Sequence, residues 1–394
     1  MELADMSDHP LHVAILGAGL GGLCLAQGLQ ALGCRVSVFE RDAALDSRPQ
    51  GYRIRINQSG QAALAACLGT AASAALASAR ASTTPLRSFD ARLQALDKHL
   101  PAWSDRLVQG RVDHDWKMDR QAMRRAMLQG LEPCVQFGMQ LASVHSDPDG
   151  VTLNFAHSPS QRCDLLVGAD GVNSWLASHY LASAPAQDTG ALCLYGRLSQ
   201  AQAQQAGLAA PLLQATHAIF ERQLALIIDP MQFDAPGLMP SPENYLYWAL
   251  IGQRHRFGLT PGAALPQDGA TLSLCCSAIA ADWAPELRAL FAATPVQSQA
   301  LMTVRQTARI ASWPTGRITA LGDAVHAMSP ASGLGCNTAL RDAQLLCQQL
   351  QQVLAGQCSL ETAIQHYESA MRVHAGAALQ SSLEGSVALY ATPA

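Results

Sequence analysis

Apolar and polar positions along the chain alternate between two periods. Leu11-His12-Val13-Ala14-Ile15-Leu16 is nearly continuous apolar sequence, the pattern of a strand buried on both faces. A helical pattern runs from the glycines after it to about Ala31, and Arg35-Val36-Ser37-Val38-Phe39 is a second strand ending at Glu40. Tyr52 to Ile56 alternates, with Arg53 and Arg55 on one side and Tyr52, Ile54 and Ile56 on the other. The spacing predicts a helix from Gln61 to about Leu68, a weaker Ala/Ser-rich helical connector from Thr70 to Ser82, and a hairpin strand within Leu86 to Leu96. Asp119 to Leu131 reads as a helix with Asp119 as N-cap and Met123, Ala126 and Met127 on its apolar face. Val135–Phe137, Gln140–Ser146 and Val151–Phe155 read as a three-stranded meander. Asp164 to Gly171 is another buried strand, closed by an acid–glycine turn. Three further strands are expected at Ala191–Leu198, Ala218–Ile228 and Tyr245–Ile251. Helical sequence follows at Leu272–Leu290, broken near Pro285, then at Thr338–Leu354 and Thr362–Leu389.

Composition narrows the reading. The 394 residues are 49% hydrophobic and 14% charged, enough for a large core in one or two intimately joined domains. A net charge of −4 without a basic block gives nucleic-acid binding little support. No apolar run reaches membrane-spanning length and the first ten residues lack a signal pattern, so a cytoplasmic protein is expected. The 11 cysteines are scattered and lack C-x-x-C pairs, which argues against both a zinc site and a disulfide framework.

Three strand ends carry the chemistry. Gly17, Gly19 and Gly22 form G-x-G-x-x-G between a strand and a helix, and Glu40 ends the next strand. Glycines at this spacing allow a tight turn and let a pyrophosphate approach the helix N-terminus, while the acid accepts ribose hydroxyls. The stretch from Gly322 to Asn337 follows the apolar run Ile318-Thr319-Ala320-Leu321 and precedes a helix. An acid at a strand end holds a sugar-like hydroxyl, glycines admit a flat ring, and a helix N-terminus favours the negative charge of a reduced ring. That combination suits a flavin better than a plain nucleotide. Parallel strands deliver their ends to one crevice, so Gly17, Asp170 and Asp323 are expected around one ligand.

With these motifs in order, the chain resembles the single-component FAD-dependent aromatic hydroxylases, the para-hydroxybenzoate hydroxylase-like flavoprotein monooxygenases. Gly17 to Gly22, with Leu20 and Gly21 inside it, is similar to the family's ADP-binding fingerprint. Asp164 to Gly171 is similar to its D-G motif, and Gly322-Asp323 with His326, Pro330, Gly333, Gly335 and Asn337 to its G-D motif. Glu40-Arg41-Asp42 and Arg120 bring it nearer to the tetracycline-inactivating and urate-hydroxylating types. The resemblance implies an α/β fold: a Rossmann-like FAD-binding domain with a β-meander, interleaved with an antiparallel-sheet substrate domain and a long C-terminal helix. The implied division is 1–84, 111–184 and 311–360 for the FAD-binding domain, 85–110 and 185–310 for the substrate domain, and 361–394 for the helix.

It also implies residue roles. Glu40 would bind the adenosine ribose, Arg41 would lie beside the adenine, and Leu141 would hold the adenine through its backbone. Arg120 would contact the pyrophosphate or ribityl region and Asp323 the ribityl chain. Gly333, Leu334, Gly335, Cys336 and Asn337 would face the pyrimidine edge through their backbone, and Pro330 would line the oxygen side of the ring. Arg48 and Arg55 would border the flavin or a nicotinamide, with an ordinary sheet-surface role for Arg55 equally open. His326 is expected to hold its loop, and Asp170 either orients its loop or touches ligand. The implied reaction uses NADPH or NADH as a transient co-substrate and O2 to hydroxylate an aromatic or heteroaromatic small molecule through a C4a-hydroperoxyflavin. A reductase or oxidase of the same fold, and a non-catalytic FAD-binding carrier, remain as alternatives. Substrate, catalytic side chains, nicotinamide preference and oligomeric state are not legible.

Overall fold

A computed structural model describes residues 10–47, 51–97, 106–108, 111–113, 115–181, 183–233 and 241–391. Its centre is a five-stranded parallel sheet in the order Ile318–Ala320, Leu165–Gly168, His12–Leu16, Arg35–Glu40, Val135–Phe137. The register sets Leu16 beside Gly168 and Gly168 beside Ala320. Three segments far apart in sequence therefore leave the sheet at one level, and their turns open into one crevice. The helix Leu20–Ala31 is buried from Leu20 to Leu29. It lies against the helices Gly335–Leu354 and Gln58–Cys67 and carries the core of this half.

Two elements depart from the sequence reading. Val135–Phe137 does not belong to the meander; it pairs in parallel with Val38–Glu40 and closes the large sheet. The meander is Leu141–Asp147, Gly150–Phe155 and Gln161–Cys163. The expected strand Ala218–Ile228 is a hairpin, Thr216–Glu221 and Leu224–Met231, turning at Gln223 with φ 62°.

The second half is a six-stranded sheet in the order Ala300–Gln306, Gln187–Ser199, Tyr245–Gln253, Leu224–Met231, Thr216–Glu221, Leu86–Asp90. All its pairs are antiparallel except the last. Side chains alternate between its faces. Leu192, Leu194, Leu226, Trp248 and Leu250 pack on the helices Gly269–Ile279 and Pro285–Ala293, where Pro285 occupies the first helical position. Cys193, Tyr195, Ala225, Ile227 and Ala249 face the other way, with Ala331, Leu389 and Tyr390. The small sheet Arg53–Ile56, Trp116–Asp119 and Arg80–Ala81 joins the halves. The C-terminal helix Leu360–Ser386 ends in the wider turn Val387–Ala391, where the Tyr390 and Ser329 hydroxyls lie 3.0 Å apart.

Candidate cofactor site

The fingerprint glycines divide their work. Gly17 has φ 103°, and a Cβ there would stand 2.4 Å from the Ala169 carbonyl oxygen. A Cβ at Gly22 would stand 2.2 Å from the Gly17 carbonyl oxygen. These two permit the turn and the close approach of helix to strand. A Cβ at Gly21 would meet Leu321 at 2.8 Å, so the helix also leans on the loop after Ala320. Gly19 differs. Among the described residues a Cβ there would meet nothing within 4 Å beyond its own neighbours and helix, and the helix it opens has neither a side-chain cap nor an acid in its first turn. Open space in front of unsatisfied N–H groups is the cradle an anionic diphosphate requires.

The Ala18 peptide is gripped from both sides. Its N–H donates to Glu40 Oε2 at 2.9 Å, and Glu40 Oε1 accepts from the Asp42 N–H at 3.0 Å. Its carbonyl accepts from Arg124 Nε and Nη2 at 3.2 and 3.0 Å, and Arg124 Nη1 donates to the Leu45 carbonyl at 2.8 Å. Arg124 is buried. The sequence reading passed over it, although it lies four residues after Arg120, a charge set among Met123, Ala126 and Met127. Beyond Glu40, Arg41 is exposed. The Met139 and Gly138 N–H groups donate to the Glu40 and Asp42 carbonyls, which brings half-buried Leu141 alongside.

The opposite wall is the G-D loop. Gly322 has φ 64°, and Asp323 opens the short helical turn to His326. Asp323 is open to solvent in the crevice, yet the protein mass around it pushes its carboxyl up, with His326 and Arg120 pulling it back. A Cβ at Gly335 would lie 3.8 Å from Asp323 Oδ1. Cys336 is half-buried; burial pushes its thiol up to about 12, with Arg120 and Asp323 as its charged neighbours. Asp323, Arg120, Gly335 and Cys336 thus meet on one side of the crevice. Arg120 arrives there as the first residue of the helix Arg120–Leu128, whose N-cap Asp119 accepts from the Ala122 N–H at 2.7 Å. Pro330 is exposed at the start of the turn Pro330–Ser332, Gly333 follows with φ 65°, and half-buried Leu334 precedes the helix beginning at Gly335.

Other expected residues act as braces. The Asn337 side chain accepts from the Asn57 N–H at 2.9 Å and donates to the Arg55 and Gly333 carbonyls at 3.0 and 2.8 Å. The Arg55 guanidinium pairs with Asp115. Asp170 Oδ2 accepts from the Trp175 N–H at 2.9 Å, so its carboxylate orients the loop after Gly168. Arg48 lies outside the described residues. His326 is completely buried, and its Nε2 meets Asp342 at 2.6 Å, a loop-holding contact.

Where the small connecting sheet meets the six-stranded one, Asp229 is completely buried. Arg53 Nε and Lys117 Nζ each approach its carboxylate at 2.8 Å, and the Thr216 hydroxyl donates to it at 2.8 Å. Nearby, Arg197 stacks over the Tyr52 and Tyr245 rings at 4.5 and 5.2 Å. Elsewhere in this half Arg254 pairs with Asp188, and Arg222 is exposed. Of the aromatics in and beside the six-stranded sheet, Trp248 and Phe257 are core, while Tyr195, Phe220 and Tyr247 lie on the face turned toward Ala331 and Tyr390.

The chain matches the FAD binding domain family over residues 10–192 and 274–382. It belongs to this family of flavoproteins. It is 31% identical over 411 residues to a dual O-methyltransferase/FAD-dependent monooxygenase of Cercospora beticola, an alignment covering 96% of this chain and 46% of that protein. The chain thus spans about half the length of such relatives. An FAD-dependent urate hydroxylase of Klebsiella pneumoniae is 26% identical over 352 residues, covering 88% of this flavoprotein and 84% of the relative. A solved structure assigned as an FAD-containing monooxygenase from Photorhabdus luminescens superposes with a TM-score of 0.81 at 27% identity, covering 97% and 99% of the two chains. Among the described residues of the flavoprotein no helix is long and apolar enough to cross a membrane, and no group of side chains is arranged to hold a metal ion.

Proposed function

We propose that this flavoprotein is a monooxygenase that holds FAD in the crevice between Gly19 and Asp323, takes electrons from NADH or NADPH, and inserts one atom of O2 into an aromatic or heteroaromatic small molecule. The observation that carries the reading is the open cradle at Gly19 facing the Asp323–Gly335–Arg120 wall, with the face of the second sheet that carries Tyr195 and Tyr247 beyond it. Bound FAD supplies hydride acceptance and oxygen activation. In this reading the first N–H groups of the helix Leu20–Ala31 bind the diphosphate. Each Glu40 oxygen keeps a lone pair for the adenosine ribose. Arg41 and the Leu141 backbone flank the adenine, and Arg120 and Asp323 take the diphosphate–ribityl region. The helix at Gly335 points its positive end at the pyrimidine edge, and Pro330 lines the oxygen side. The division into FAD-binding and substrate segments given above follows the same reading. The face carrying Tyr195, Phe220 and Tyr247 forms the substrate chamber, and the C-terminal turn seals it from water.

The purified protein is expected to carry FAD and to oxidise NAD(P)H faster when its aromatic substrate is present, with label from 18O2 in the product. Reduction without label in any product assigns it instead as a reductase or oxidase. Asp323→Ala is expected to leave the fold intact and weaken FAD binding by about one to two decades, the equivalent of about 1.5–3 kcal/mol for a lost charged hydrogen bond. Flavin fluorescence titration measures this, and an unchanged affinity removes Asp323 from the site.

A further inference from the structure

Several arginines of this chain direct their charge into the protein itself. Arg254 pairs with Asp188, Arg55 with Asp115, and Arg124 donates to the Ala18 and Leu45 carbonyls. Arg197 differs. Its side chain is exposed, and among the described residues its guanidinium has neither a carboxylate partner nor a hydrogen-bond acceptor. Two aromatic faces hold it instead: its Cζ lies 4.5 Å from the centre of the Tyr52 ring and 5.2 Å from that of Tyr245. Both rings are fixed by their hydroxyls, Tyr52 donating to the Ser298 carbonyl at 2.9 Å and Tyr245 to Asp119 Oδ2 at 2.8 Å. The other Asp119 oxygen accepts from the Ala122 N–H. Stacking engages the flat face of a guanidinium and leaves the N–H donors around its edge open, in the fork geometry that fits a carboxylate. The strand register gives this cation a direction. Arg197 stands opposite Tyr247 and two residues from Tyr195 on its own strand, so the three side chains leave the sheet on one face, the face turned toward Ala331 and Tyr390. Tyr195 meets Tyr52 edge-on at 5.9 Å and has Arg120 of the crevice among its charged neighbours. Arg197 lies about 7 Å further along the strand. A wall of aromatic rings therefore leads from the cofactor crevice to an exposed guanidinium with open donors.

We propose that Arg197 is a specificity-determining residue: it binds a carboxylate carried by the aromatic molecule that enters the chamber, so that the enzyme selects aromatic acids over their neutral analogues. The inference rests on the monooxygenase reading and narrows its substrate class. A ring lying between Tyr195 and Arg197 has aromatic faces to pack on, and its carboxylate meets a guanidinium already placed by two rings, so little side-chain freedom is lost on binding. The guanidinium keeps its charge at every pH at which the protein is folded. The phosphates of a nicotinamide nucleotide offer the same oxyanion chemistry. The aromatic wall beside Arg197 favours the aryl acid, and the experiment separates the two.

The test uses the FAD-loaded full chain and a panel of hydroxybenzoates and aminobenzoates, each beside its carboxamide. Equilibrium dialysis gives dissociation constants without turnover, and NADH and NADPH oxidation gives the nicotinamide KM. In the wild type at least one acid should bind about 10- to 100-fold more tightly than its carboxamide, the range of a charge-assisted pair. Arg197→Gln should lose that preference with carboxamide affinity and nicotinamide KM unchanged. Arg197→Met, which keeps an apolar stem against the rings without the charge, should do the same and serves where the glutamine variant does not fold. Circular dichroism and FAD content establish the fold of each. A wild type that binds no acid better than its carboxamide, or an acid preference that survives in the variants, overturns the anchor and leaves the FAD reading standing. A raised nicotinamide KM with the acid preference retained moves the oxyanion to the nucleotide and overturns it as well. If the protein takes up no FAD, the monooxygenase reading falls, and the acid preference of wild type against Arg197→Gln still decides the anchor.

Discussion

Asp229→Ala is expected to destabilise the protein by about 3–5 kcal/mol, the cost of leaving buried charge without its partner. The carboxylate is completely buried between Arg53 and Lys117, and the pair Arg53–Lys117 comes from the small connecting sheet while Asp229 comes from the six-stranded one. The substitution therefore loosens the join between the halves as well as leaving two cations in low dielectric. Equilibrium urea denaturation measures the effect, and a loss below about 1 kcal/mol, the range of an exposed pair, would show that the cluster is hydrated. The pH dependence has a definite sign. Burial pushes Asp229 up, but Arg53 and Lys117 hold it below the usual carboxylate range. A depressed carboxylate stabilises the fold above its unfolded value of about 4 and loses that contribution as pH falls through the folded one. Wild type and Asp229→Ala should converge in acid.

Gly19→Val is expected to leave thermal stability of the FAD-free protein nearly unchanged while weakening FAD binding at least about 10- to 100-fold. Forcing a side chain into contact with a ligand costs about 1–3 kcal/mol, which is that range in affinity. A Cβ at this position meets no other part of the described protein within 4 Å. Gly17→Ala makes the contrast: at φ 103°, with its Cβ 2.4 Å from a carbonyl oxygen, it should lower stability before any cofactor is added. Melting curves of the FAD-free proteins and fluorescence titrations separate the two effects. Wild-type FAD affinity in Gly19→Val would remove the diphosphate from this cradle.

The parts of the molecule legible in its sequence are those whose signal is local. The strand at His12, the glycines, the helix after them and Glu40 lie within one βαβ unit, and each residue type answers to its own backbone geometry. The Asp119 cap and the strand–loop–helix order at Gly322 are local in the same way. Pairing partners are not. Val135–Phe137 is too short to carry a period, and only its contact with Val38–Glu40 assigns it to the parallel sheet. The hairpin at Gln223 turns through a residue that rarely takes positive φ, so neither glycine nor asparagine marked it. Arg124, Asp229 and Asp342 were missed for another reason. Each is a charge buried against partners from distant segments, and nothing in the flanking sequence announces that burial.

Asn337 gives the history of the molecule a direction. Its side chain joins segments 280 and 282 positions away, and it fastens the Gly333 turn at the same time. During synthesis the fingerprint glycines leave the ribosome long before Asp323, Gly335 or Asn337 does. Contacts of such sequence separation form late. A nascent chain thus has half a cradle and nothing to close it. Closure of the crevice waits for the G-D loop to be made, and a chain stopped before that loop would lack the wall built by Asp323, Gly335 and Asn337.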